Sequence, residues 1–108
     1  MQLDIKAIHF SLNEVQREHI DRRMERFSYA REYLVDLGLT LTREGSQYHV
    51  DASLHFRWGA TNHLKVSGYD LLEAFDRLMD KIQHKVSKEK EKVTRSSHGA
   101  PRRAVSRG

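Results

Sequence analysis

The hydrophobic period of this 108-residue chain changes four times, and each change marks a boundary between elements. Leu3, Ile5 and Ala7 alternate with Gln2, Asp4 and Lys6, the period-two signature of a strand. Ile20, Met24 and Phe27 then recur at helical spacing. Two pairs before that stripe are spaced as capping boxes, Ser11 with Glu14 and Asn13 with Gln16; Asn13 is the favoured cap. Gln16 falls within the apolar stripe, which is a blemish in the pattern. From about Tyr33 the period drops to two again. Val35, Leu37, Leu39 and Leu41 alternate with Asp36, Gly38 and Thr40, and Glu44-Gly45-Ser46 is turn chemistry. Val50, Ala52, Leu54 and Phe56 alternate with Asp51, Ser53 and His55. Trp58-Gly59-Ala60-Thr61-Asn62 reads as the next turn, and Leu64 and Val66 mark a short fourth strand ending at Gly68. Asp70, with Glu73 completing a second capping box, starts a long helix that runs past Val86 towards Val93.

The order is therefore β-α-β-β-β-α. The simplest packing is an α+β two-layer sandwich: one four-stranded sheet with both helices on one face. The covered face is expected to carry Val35, Leu37, Leu39, Val50, Ala52, Leu54 and Phe56. Asp51, Ser53, His55, His63 and Lys65 are expected to face solvent. Trp58 shares the phase of Phe56 and is expected to point inward; stacking of Trp58 or Tyr48 on nucleic-acid bases is the lesser reading. Residues 1–94 form one domain. The segment 95–108, rich in Ser, Gly, Pro and Arg, buries too little apolar surface to order itself and is expected to be a disordered basic tail.

Composition removes several chemistries. There is no cysteine, which excludes disulfides, thiol catalysis and cysteine-ligated zinc. The opening residues do not read as a signal peptide, and no apolar run approaches membrane-spanning length, so a soluble cytoplasmic protein is expected. Seven histidines invite a metal site. His49 and His55 are about 20 Å apart along one strand, however, and His55 opposite His63 would supply at most two ligands. No nucleophile elbow and no glycine-rich phosphate loop is present, so neither an enzyme nor a cofactor nor a small-molecule substrate is expected.

Charge is distributed unevenly. Residues 1–80 hold 10 Lys/Arg against 13 Asp/Glu, whereas residues 81–108 hold 9 against 2. A near-neutral body with one basic end suggests a polyanionic partner. The second helix sharpens this. At about 100° per residue, Phe75, Met79, Ile82, Val86 and Val93 share one stripe, and Arg77, Lys81, Lys85, Lys88, Lys92 and Arg95 share another within about 80°. Glu73, Asp76, Asp80 and Glu91 collect on a third, where Asp80 with His84 and Lys81 with Asp76 or Asp80 could pair. Cations repeated at i, i+4 repel one another unless an anion is present. Part of that excess is tolerated simply because it lies towards a helix C-terminus. Arg22, Arg23 and Arg26 of the first helix would widen the basic surface if they lay beside it.

Three stretches resemble the short ribosome hibernation-promoting factors and the related ribosome-associated inhibitors of translation. They are Met1 to Ile5, Asp51 to Phe56, and Asp70 to Asp76 continued by Asp80-Lys81 and the run Lys88 to Lys92. The resemblance covers roughly residues 1–93. It implies a fold similar to double-stranded-RNA-binding domains, and a partner: the small ribosomal subunit and its ribosomal RNA, in the channel for messenger and transfer RNA. It implies inhibition of translation on idle ribosomes; off the ribosome the protein is expected to be a monomer. Carried over by position, the RNA contacts are Arg23, Arg26, Lys81, Lys85, Lys88, Lys90 and Lys92; helix geometry adds Arg22, Arg77 and Arg95. Longer members pair ribosomes through a second domain, which this chain is not expected to carry. Two other classes fit the basic stripe: a protein-interaction regulator, for example of transcription, and a general double-stranded-RNA binder. A steep dependence of binding on salt would favour RNA over an acidic protein surface.

Overall fold

A computed structural model of the protein describes residues 1–98, with side chains through Lys92. The elements are β1 (Gln2–Ile8), α1 (Glu14–Arg26), a 3-10 turn (Ser28–Glu32), β2 (Leu34–Glu44), β3 (Gln47–Phe56), β4 (Thr61–Gly68) and α2 (Leu71–His98). The strands form one sheet in the order β1-β2-β3-β4. β1 runs parallel to β2, because α1 carries the chain back across the sheet between them. The two short turns make β2–β3 and β3–β4 antiparallel hairpins. The expected β-α-β-β-β-α sandwich is the observed one. Among the described residues no helix is long and apolar enough to cross a membrane.

The local signals act as their chemistry dictates. Asn13 caps α1: its Oδ1 accepts from the Gln16 amide at 2.8 Å, and Gln16 Oε1 accepts from the Asn13 amide at 3.0 Å. Gln16 interrupts the apolar stripe because its side chain turns back to the cap. Asp70 Oδ1 accepts from the amides of Leu72 and Glu73 at 3.0 and 3.2 Å, opening α2. Glu73 itself lies 3.4 Å from Arg77.

The core lies between the sheet and the helices. Leu37, Leu39, Leu41, Val50, Ala52, Leu54 and Phe56 meet Ile20, Met24, Phe27, Phe75, Met79, Ile82 and Val86, all buried. Val35 departs from the expected alternation. Leu34 pairs with Phe56 and Asp36 with His55, so Val35 is the extra residue of a β-bulge, 39% exposed, and Leu34 takes its place in the core. β4 is longer than expected, since Thr61 and Asn62 already pair with His55 and Leu54. The reversal is confined to Arg57, Trp58, Gly59 and Ala60, with Gly59 at φ 96°, a conformation that favours glycine.

The open face of the sheet reads off the register in rows: Asp4, Gly38, Ser53 and His63; then Lys6, Thr40, Asp51 and Lys65. His55 faces Thr61, one row away from His63, so the two histidines are not directly opposed. His55 lies 3.5 Å from Asp36, and His49 sits between Glu44 and Ser67 at 3.0 and 2.7 Å. Among the described residues no cluster of three or more His, Asp or Glu could hold a metal ion.

Candidate nucleic-acid interface

α1 and α2 lie side by side and parallel, and the acidic flank of α2 faces α1. His19 Nε2 is 2.9 Å from Asp76 Oδ1. Arg23 donates from Nη1 to Asp76 at 3.4 Å and from Nη2 to Asp80 at 2.8 Å. The same sequence offset, 57 residues, joins His19 to Asp76 and Arg23 to Asp80, as parallel helices stepping together by one turn require. The acids therefore pair across the helix–helix seam. Asp80 is taken by Arg23 and not by His84, and Asp76 by His19 and Arg23 and not by Lys81.

The basic flank of α2 turns the other way, towards the exposed edge strand β4. Lys81, His84, Lys85 and Lys88, with Asp80, form the wall of an open cleft of about 460 Å³ over Leu64. Lys81 and Lys88 take part in no ion pair among the described residues. Lys85 and Lys92 converge on Glu89 at 3.7 and 3.3 Å. Arg77 meets Glu73 at 3.4 Å in an exposed pair, worth only tenths of a kcal/mol and easily exchanged for a phosphate.

The remaining candidates scatter. Arg23 is spent in the helix seam, its side chain 14% exposed. Arg22 and Arg26 are exposed on α1, Arg22 only 3.9 Å from Glu18. The acidic flank separates them from the lysines of α2, so α1 does not simply widen the lysine stripe. Lys90 is on the opposite side of α2, its Nζ 5.4 Å from the centroid of the Tyr33 ring. Arg95 falls within α2, but its side chain, like that of Val93, lies outside the described residues, as does the segment 99–108. Trp58 is not a core residue, at 37% exposure; it stacks on Phe56 with centroids 5.0 Å apart. Tyr48 packs edge-on to Phe10.

Sequence reading missed Glu89, the one charged residue buried among the described residues, at 7% exposure. Burial pushes its pKa up, but hydrogen bonds from Lys92 and the Trp58 indole, with the charges of Lys92 and Lys85, outweigh that and hold the carboxyl below its ordinary value. A signal was present. Ile82, Val86 and Glu89 stand at i, i+4 and i+7, which puts the acid on the core stripe.

The ribosome hibernation promoting factor of Escherichia coli (strain K12) is 27% identical over 93 residues, 86% of this chain and 97% of that protein. The protein of the same name from Salmonella typhimurium (strain LT2) matches to the same extent. Among solved structures, a ribosomal subunit interface protein from Coxiella burnetii superposes with a TM-score of 0.73 at 20% identity, over 84% of this chain and 99% of that one. The N-terminal domain of Thermus thermophilus Protein Y gives 0.68 at 15% identity, over 82% and 98%. These two likenesses establish the fold. A family model described as sigma 54 modulation protein / S30EA ribosomal protein matches residues 3–94. Nearly the whole sandwich, both flanks of α2 included, is thus accounted for, and the chain belongs to the sigma 54 modulation protein / S30EA ribosomal protein family.

Proposed function

We propose that this protein is a ribosome hibernation factor. It binds the small ribosomal subunit through ribosomal RNA, occupies the messenger and transfer RNA channel, and keeps idle cytoplasmic ribosomes from translating. The observation that carries this reading is the lysine flank of α2: Lys81 and Lys88 without ion pairs among the described residues, Lys85 and Lys92 in line with them, beside an open cleft at the sheet edge. A row of cations one helical turn apart costs self-repulsion in the unbound chain, and phosphates relieve it. Arg77 extends the row, and Arg22 and Arg26 offer a second, smaller contact. Arg23 serves the helix seam, and Lys90 its aromatic neighbour. The names of the relatives in Escherichia coli and Salmonella support the same reading.

The test is co-sedimentation of the purified protein with small subunits and whole ribosomes at several salt concentrations. Near-stoichiometric pelleting with a steep log–log salt slope is expected. Lys81→Glu with Lys88→Glu, which disturbs no described ion pair, should weaken it by about 10- to 100-fold. Failure to pellet at any salt would overturn the reading in favour of an acidic protein partner, while equal affinity for any long RNA duplex would point to a general duplex binder.

A further inference from the structure

α2 outruns the sheet that supports it. Its 28 residues span about 42 Å, whereas the ten residues of β3 span about 33 Å. Among the described residues Val86 is the last fully apolar contact of α2 with the core, and one turn later the position facing the sheet holds Glu89. A carboxylate in that position is costly to bury unless several donors converge on it. Here they do. Lys92 donates to it at 3.3 Å, Lys85 lies 3.7 Å away, and the Trp58 indole helps hold its carboxyl charged. The support behind Trp58 is firm: its ring stacks on Phe56 and meets the Tyr33 ring edge-on at 6.5 Å. The preceding Arg57 donates its amide to Tyr33 O at 2.9 Å and its guanidinium to Arg31 O at 2.8 Å. Lys90 closes the group from above, over Tyr33. Two consecutive residues of α2 thus grip an aromatic bracket at the β3–β4 turn.

We propose that Glu89 is a positioning residue of the cationic flank. Through Trp58 it fastens the outer turns of α2 to the sheet, and through its carboxylate it holds Lys85 and Lys92 in the line that Lys81 and Lys88 begin. It touches no ligand itself. Simple electrostatics gives the opposite expectation, because removing an anion from a polyanion-binding face should tighten binding. The proposal rests on the ribosome-binding reading, and its test separates the two.

Glu89→Gln keeps the size and loses the charge; Trp58→Phe keeps the stack and loses the N–H without changing charge. Each should bind small subunits about three- to tenfold more weakly, with the salt slope reduced by about one. The double variant should be no weaker than the weaker single, since both break one linkage. Loss of folded molecules would lower stoichiometry and leave the slope alone. Hydrogen exchange without ribosomes reads the fastening directly: amides of residues 86–92 should lose protection in both variants. Tighter binding by Glu89→Gln, unchanged binding by Trp58→Phe, or unchanged exchange in both would each overturn the proposal. If exchange responds but the wild-type chain never pellets with ribosomes, the ribosome reading fails and the fastening stands.

Discussion

The two flanks of α2 carry similar densities of charge and meet opposite fates. Asp76 and Asp80 face a neighbouring helix and are consumed there by His19 and Arg23. Lys81 and Lys88 face an edge strand across a cleft that it lines with Leu64, and among the described residues they take part in no ion pair. Charge sorting on a helix therefore does not by itself mark a binding face. What marks it is the flank whose countercharge the fold withholds. A buried or half-buried pair stabilises the packing of two helices, whereas an unanswered row stores repulsion that a polyanion releases.

The contrast can be erased or sharpened experimentally. The largest effect should come from making both flanks acidic. Lys81→Glu with Lys88→Glu is expected to weaken small-subunit binding by about 10- to 100-fold and flatten the salt slope by about two, with the melting temperature nearly unchanged. Opening the acidic flank is the next test. Arg23→Ala should cost about 1–2 kcal/mol of stability in chemical denaturation, since a mostly buried guanidinium and two charged hydrogen bonds are lost. Ribosome affinity per folded molecule should change little; a tenfold loss would place Arg23 on the RNA and collapse the distinction between the flanks.

Acid should act at the boundary between basic flank and core. The Glu89 carboxyl is held below its ordinary value in the folded chain, so the unfolded chain binds the proton more readily. Its contribution to stability is full above the ordinary carboxylate range and is lost as pH falls through the lowered value. The melting temperature of the wild-type chain should accordingly approach that of Glu89→Gln on acidification, and a gap that stays constant from neutral to acid pH would contradict this. The smallest effect belongs to Arg77→Ala. It removes an exposed pair with Glu73, so stability should shift by less than about 0.5 kcal/mol, while ribosome binding drops only a few-fold.

Much of the architecture was legible in residue order. The Asn13–Gln16 box, the Asp70 cap and the period-two runs through β2 and β3 depend on near neighbours, and each formed as its local chemistry requires. The errors cluster where one residue more or less changes a side chain's direction. Val35 left the core because a bulge inserted it, and Trp58 left the strand phase because the reversal begins at Arg57. A period-two pattern carries no record of either slip. The candidate site divides in the same way. The lysine row was visible at helical spacing, but the use of Arg23 and Lys90 elsewhere was not.

The sequence by itself determined the element order, the covered face of the sheet and the three-way sorting of charge along α2. These follow from spacing within single elements, where backbone geometry alone decides which residues share a face. Only the tertiary structure decided which charged flank would be answered and which left open. It also buried Glu89, one more acid in a lysine-rich run, and closed Lys85 and Lys92 around it. Those outcomes depend on partners 31 to 57 residues away in the chain. At such separations a charge is defined by what packs against it: local spacing put Glu89 on the core stripe but did not name its partners.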